Sequence, residues 1–309
     1  MSSERQSAGS ALLVRPAAFG FNPEAAQSNA FANPSGHPEI SNRVLAEFDA
    51  VADRLGRAGI DVHVFEDTPD PPKPDAIFPN NWISFHADGT VAIYPMAAET
   101  RRRERNPEAI KDLLERSSFE VRRIVDLTEH EQHGRSLEGT GSLILDRPRR
   151  RAFASVSPRT DPSVIRDFDE QLGYSTFVFD AADRSGRPIY HTNVLMSLGT
   201  RFAVLCLEAV AAVHRRELVE EIEASGRTLI AVDFGQLKRF ACNLIELRSG
   251  RGEPVIALSS AALAGFHPEQ RRTLERFGDL ADTAIPTIER VGGGSVRCMI
   301  ADVHLPRRA

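Results

Sequence analysis

The chain has 309 residues, 41% of them hydrophobic and 26% charged, with a formal net charge of -5. That length is enough for one or two domains with a sizeable core, in the composition range of soluble globular proteins, and the acidic balance excludes nonspecific nucleic-acid binding. The most apolar window, Phe202–Val213, is broken by Glu208 and too short to span a bilayer, so no membrane partner is expected. Cys206, Cys242 and Cys298 are far apart and show no C-x-x-C spacing, which indicates neither a disulfide framework nor a metal site and fits a reducing cytoplasm. Glu4 and Arg5 precede only a short apolar run, so no signal-peptide pattern is present.

Residues 1–10 are small and polar and are expected to be disordered, leaving 11–309 as a single domain. Ala11–Val14 reads as a strand. The Asn- and Pro-containing segment 19–38 has no periodicity and is either an active-site lid or a surface loop. A helix is expected from about Pro38 to Arg57, with Val44, Leu45, Phe48, Val51 and Leu55 on one stripe, and then a strand at Val62–Phe65.

This helix-then-strand phrase returns four times. Asn106–Pro107 supplies an N-cap and a first-turn proline for a helix to Arg116, and Asp161–Pro162 does the same for a helix stopped by Gly173. The strands that follow are expected at Val121–Val125 and Ser175–Phe179. Further helices at about Arg215–Ser225 and from Pro268 lead to strands at Thr228–Val232 and Ala284–Ile288. Hairpin-like pairs lie between the phrases, at 81–86 with 90–94, 142–145 with 152–155, 194–197 with 203–207, and 244–248 with 255–258. The unit is therefore strand, strand, helix, strand, and helix starts near 38, 107, 162, 215 and 268 make it an internal repeat rather than a set of independent domains. Five ββαβ units closed on themselves predict an α/β propeller around a central channel.

About thirty residues after each of the last four helix starts stands a polar or reactive residue: Glu138, His191, Asn243 and Cys298. Asn81 holds the same phase before the first hairpin. Equivalent corners of a cyclic array face the pseudo-axis, so these residues should converge. Cys298 follows Gly292–Gly293–Gly294, where a flexible backbone lets a thiol sit at the edge of a concavity, at the mouth of an apolar strand-like stretch. A lone buried Cys, a turn Glu, an ordinary His and a turn-satisfying Asn are each the commoner reading taken singly; their common phase is what speaks for a site.

The chain resembles the guanidino-group-modifying pentein superfamily of arginine deiminases, dimethylarginine dimethylaminohydrolases and amidinotransferases. The matching residues are Phe78–Pro79–Asn80–Asn81–Trp82, Leu137–Glu138–Gly139, Ser157–Pro158–Arg159–Thr160, His191–Thr192–Asn193 and the Gly-rich Cys298 segment, which cover most of the chain in order. The resemblance implies a five-bladed α/β propeller with Cys298 as nucleophile, His191 as acid–base and Glu138 as carboxylate partner. It further implies Arg159 as the substrate-carboxylate anchor, with Arg135 a weaker candidate.

Members that take cationic substrates carry Asp where this chain has Asn81 and Asn193. An Asp pair clamps a guanidinium through charge-assisted hydrogen bonds, whereas Asn offers a donor and an acceptor that suit a neutral ureido group. The closest subgroup with this pattern is the citrulline-utilising hydrolases. The expected reaction is hydrolysis of citrulline to ornithine, ammonia and carbon dioxide through a covalent Cys298 intermediate, with no cofactor or metal. The thiolate is expected to be favoured by Arg297, a cationic His191 and local backbone N–H groups, and Glu138 to raise the His191 pKa and to be the only anion near the substrate. The alternatives are deimination of arginine or a methylated arginine, and a catalytically silent pentein that binds a partner. The oligomeric state is left open, a homodimer being one option.

Overall fold

The computed structural model describes residues 4–34 and 40–308. In chain order, strand β1 (Ser10–Arg15), helix α1 (Ile40–Arg57) and β2 (Asp61–Glu66) come first. Three complete units follow: β3 (Ile83–Phe85), β4 (Thr90–Ile93), α2 (Pro107–Arg116), β5 (Arg123–Asp126); β6 (Ile144–Asp146), β7 (Arg151–Val156), α3 (Pro162–Leu172), β8 (Ser175–Asp180); β9 (Met196–Leu198), β10 (Phe202–Leu205), α4 (Ala212–Ala224), β11 (Thr228–Ala231). The last is β12 (Ile245–Arg248), β13 (Pro254–Ser259), α5 (Pro268–Glu275) and β14 (Asp279–Thr283), after which β15 (Ala301–Val303) ends the chain's regular structure.

Among the described residues the strands form five three-stranded sheets, each with its middle strand antiparallel to one neighbour and parallel to the other. The parallel pairing requires a crossover, and the unit's helix provides it. The first sheet is shared by the two ends of the chain, with Ser10 opposite Val303 in the antiparallel pair and opposite Asp61 in the parallel one. Five such sheets fit the five repeats read from the sequence.

The local signals act as expected. Asn106 accepts from Ala109 N and Asp161 from Ser163 N, each with proline in the first turn, and Gly173 ends α3 in the left-handed conformation at φ 69. Amphipathic α1 buries Val44, Phe48, Val51 and Leu55 against Leu13, Leu247 and Ala257, whereas Leu45 is only partly buried. The edge strands β3, β6 and β15 are buried throughout, whereas β5 and β11 are largely exposed and β2 is mostly half-buried.

Several expectations are corrected. The strand placed at Ala284–Ile288 is instead β14, at Asp279–Thr283, followed by a helix over Pro286–Gly292. Pro286 has no N–H for a ladder and takes the first helical turn, where none is needed. Helix α4 starts at Ala212 rather than Arg215. Cys298 lies on a 3₁₀ turn, Val296–Met299, and the strand starts only at Ala301. Residues 4–10, expected to be disordered, are packed: Glu4 accepts from Arg147 Nη1 at 3.0 Å, and Gln6 Nε2 donates to Leu145 O at 2.8 Å. Residues 1–3 and 309, with the Pro38 start of the first helix, lie outside the described residues.

Candidate active site

Each corner residue sits in a short turn just before the edge strand that pairs antiparallel with the middle strand of its sheet. Asn81 closes the 3₁₀ turn Pro79–Asn81, Glu138 and His191 each precede a single helical turn, Asn243 precedes β12, and Cys298 lies in the turn before β15. All five are at most 3% exposed. A small cavity of about 20 Å³ is lined by Asn81, His191 and Cys298 together with Ala25, Asn29, Asp75, Phe78, Arg101, Arg159, Tyr190 and Gly292–Gly294.

His191 Nε2 is 2.7 Å from Glu138 Oε2. Arg159 Nη1 donates to the same oxygen at 3.3 Å, and Arg101 Nη1 is 3.7 Å from it. Burial alone would raise the Glu138 carboxyl, but Arg159, His191 and Arg101 together hold it well below the usual carboxylate range. For His191, burial is the largest influence; it outweighs the Glu138 hydrogen bond and charge and, with Arg159 and Arg101, pushes the imidazole down to about 4. At neutral pH the ring is therefore neutral. Because an ionised carboxylate only accepts, Nε2 carries the proton and Nδ1 the lone pair. The expectation of a cationic His191, raised by Glu138, is thus reversed by burial beside two arginines.

Arg159 also donates through Nε to Ser28 Oγ at 2.8 Å and through Nη2 to Ala25 O, and its guanidinium lies 4.9 Å from the centre of the Tyr190 ring. Asn29 Nδ2 donates to the Gly292 and Gly293 carbonyls, and Tyr190 Oη to Gly293 O at 2.7 Å. The described part of segment 19–38 thus contributes Ala25 and Asn29 to the cavity wall; residues 35–38 lie outside the described residues.

The sulfur of Cys298 receives two amide donors, Asn193 Nδ2 at 3.4 Å and Asn243 Nδ2 at 3.3 Å. Asn193 Oδ1 is buried with no hydrogen-bond partner. The other two thiols are pushed up by burial, Cys206 to about 11 and Cys242 well above its ordinary value.

Glycines allow these groups to meet. A Cβ on Gly141 would stand 2.5 Å from Asn81 Nδ2 and 2.9 Å from the His191 ring, and Gly139, at φ 45, would carry its Cβ into the Asn80 carbonyl. The Leu137–Glu138–Gly139–Thr140–Gly141 stretch is therefore a close crossing of two corners, which a side chain would force apart.

Two expected residues do not reach the site. Arg135 is exposed and its charge acts on Asp161. Arg297 turns away from the cavity, donating to Ile300 O at 2.8 Å and lying 3.7 Å from Asp302. Conversely, Arg101, Asp75 and Glu104 were not singled out. Arg101 donates to Asn81 Oδ1 at 2.8 Å and, through Nε and Nη2, to the Glu104 carboxylate at 2.8 Å each, while Asp75 lies 3.7 Å from Arg101 and accepts from Asn22 at 2.8 Å. Burial raises the Asp75 carboxyl and pushes Glu104 up to about 7, despite Arg101. Glu138 is therefore not the only carboxyl group near the cavity. In sequence, Arg101–Arg102–Arg103 is a charge run that looks like a solvated face, and nothing in it marks Arg101.

A family model for N,N dimethylarginine dimethylhydrolase, eukaryotic, matches residues 15–305. The chain belongs to that family. That family is one of guanidino-group enzymes, in line with the resemblance carried by the sequence motifs. Among solved structures, it is similar to apo ArgZ, an arginine dihydrolase from cyanobacteria, at 16% identity and a TM-score of 0.74, covering 96% of this chain and 41% of that one. It thus spans about two fifths of full-length ArgZ, and a structure of the ArgZ N-terminal domain with substrate, 15% identical with a TM-score of 0.72, is covered over 96% of its length by 94% of this chain. A dimethylarginine dimethylaminohydrolase adduct with S-methyl-L-thiocitrulline gives 16% identity and a TM-score of 0.61, over 94% of this chain and 97% of that one. No curated protein gives a significant match. Among the described residues, no helix is long and apolar enough to cross a membrane.

Proposed function

We propose that the chain hydrolyses citrulline to ornithine, ammonia and carbon dioxide, with the five sheets closed as a propeller in one catalytic domain. The observation that carries this reading is the charge pairing around the cavity. Glu138 is matched by Arg159 and Arg101, Glu104 by Arg101, and amides stand on the cavity wall, at Asn81, and against the Cys298 sulfur, at Asn193. A guanidinium entering here would displace a resident arginine from its carboxylate, whereas a ureido group needs only donors and acceptors. The unpartnered Asn193 Oδ1 is an acceptor available to a ureido N–H.

In this mechanism Cys298 attacks the ureido carbon as a thiolate and forms a C–S bond as the C–N bond breaks. His191 protonates the leaving nitrogen and then activates the water that hydrolyses the thiocarbamoyl intermediate, which frees the thiol and a carbamate whose remaining C–N bond breaks to release carbon dioxide and the second amine. A neutral His191 held by Glu138 suits the base role; in the acid role it must first take up a proton, whose positive charge Glu138 then balances. Arg159 receives the substrate carboxylate, and Asp75 faces the cavity as a partner for its ammonium.

Asp75 also favours a second reading. A buried cavity carboxylate with a raised pKa gains from a cationic ligand, which supports deimination of arginine or a methylated arginine. Incubation of the purified protein with citrulline, arginine and dimethylarginine, followed by ammonia and amino-acid analysis, separates the two. Ornithine and ammonia from citrulline support the first reading. Citrulline accumulating from arginine would replace it with the second.

A further inference from the structure

We propose that Asn243 is a catalytic residue whose carboxamide N–H, together with that of Asn193, holds the Cys298 sulfur as a thiolate. This rests on the reading of Cys298 as the nucleophile. Asn243 is fully buried, and the turn that presents it, from Phe240 to Asn243, puts Phe240 at φ 61, a left-handed conformation costly for an aromatic residue. Its orientation is set by the hydrogen bonds around it. Oδ1 must face a donor, and it accepts from Arg297 N at 3.1 Å, which leaves Nδ2 toward Asn193 O at 3.1 Å and Cys298 Sγ at 3.3 Å.

The bland reading is that Asn243 only ties two corner turns together, and the Arg297 N and Asn193 O contacts do that. They do not require the third contact, to sulfur. A buried thiolate is unfavourable unless something compensates its charge. Of the cations expected beside it, Arg297 gives its guanidinium hydrogen bond to Ile300 O and its ion pair to Asp302 and acts on the sulfur only through its charge, and burial lowers the His191 pKa. The direct donors to the sulfur are the two amides, and that of Asn243 is fixed in place by its bonds to Arg297 N and Asn193 O. When the thiol is protonated its S–H has Asn243 Oδ1 as an acceptor at 3.7 Å, so the same carboxamide meets both forms; ionisation releases that proton to water.

The test is the pH profile of Cys298 alkylation by iodoacetamide in wild type, Asn243→Ala and Asn243→Asp, with Cys298→Ala giving the background from the other thiols. Asn243→Asp is isosteric and keeps the acceptor for Arg297 N while placing negative charge against the sulfur, so it carries the test even where Asn243→Ala fails to fold. Alkylation at neutral pH should slow about tenfold in Asn243→Ala and about a hundredfold in Asn243→Asp, with both profiles moved to higher pH. Turnover should fall in parallel and recover in part as the pH is raised, which a purely structural role would not produce. A folded variant with the wild-type alkylation profile, or a loss of turnover that raised pH does not relieve, overturns the proposal. Full turnover in Cys298→Ala would instead remove the nucleophile reading beneath it.

Discussion

Glu138 Oε2 and His191 Nε2 stand 2.7 Å apart with both side chains buried, and two arginines crowd the same carboxylate. The imidazole, pushed down to about 4, ionises far more readily in the unfolded chain, where its pKa is about 6.5. The unfolded state therefore binds more protons between about pH 6.5 and about pH 4, so this contribution is fully present above that window and is lost as pH falls through it. At full extent it amounts to about 3 kcal/mol. Urea unfolding at several pH values should show wild type losing stability on acidification more steeply than His191→Gln. Burial lowers His86 and His304 as well, so the variant removes only part of the slope. Equal slopes in the two proteins would contradict a neutral buried His191.

Cys298→Ser and Cys298→Ala should leave the fold intact and reduce citrulline turnover by about 10³-fold or more, because a hydroxyl is a far weaker nucleophile at neutral pH. Cys206→Ala and Cys242→Ala should keep the chemistry, since both thiols are buried away from the cavity and held protonated. Loss of kcat in Cys206→Ala without unfolding would move the nucleophile elsewhere.

Asn81→Asp places a carboxylate where Arg101 Nη1 now donates to Oδ1 at 2.8 Å. Arg101 can neutralise it, so the variant should fold. The donor that a ureido oxygen needs is lost, and kcat/KM for citrulline should fall more than tenfold, by roughly 2 kcal/mol. Combined with Asn193→Asp, guanidinium binding should improve while the second carboxylate opposes the thiolate. Comparison of kcat/KM for citrulline and arginine in wild type and the double variant is the measurement. A wild type that prefers arginine would refute the neutral-substrate argument.

Gly141→Ala tests the crossing of two corners directly. Its methyl would meet Asn81 Nδ2 at 2.5 Å and the His191 ring at 2.9 Å, side-chain atoms that can yield only by leaving their positions. Turnover should fall at least tenfold, with a stability loss of about 1–3 kcal/mol. Wild-type kcat with unchanged stability would mean that the placement of Asn81 and His191 tolerates movement. In Gly139→Ala the obstacle is the Asn80 backbone and φ is positive, so misfolding is the expected result.

The sequence by itself determined the repeat and the convergence of its corners, because both rest on local rules. Asn106–Pro107 and Asp161–Pro162 cap helices wherever they occur, Gly173 ends one, and alternation marks the hairpins; once the period is known, Glu138, His191 and Cys298 fall on one phase. The same local rules placed a strand across Pro286, and the resemblance offered Arg135 as an anchor, because neighbours in sequence say little about which side of a proline is helical or where a long side chain points. Only the tertiary structure decided the charges. Arg101 was one arginine among three until burial set it between Asn81 and Glu104, and Asn243 was a turn residue until folding brought its amide to the Cys298 sulfur. Whether His191 is an imidazolium depends on how much water is removed and on which charges remain within a few ångströms. Those quantities come from contacts tens to hundreds of residues apart in the chain, and no local pattern carries them.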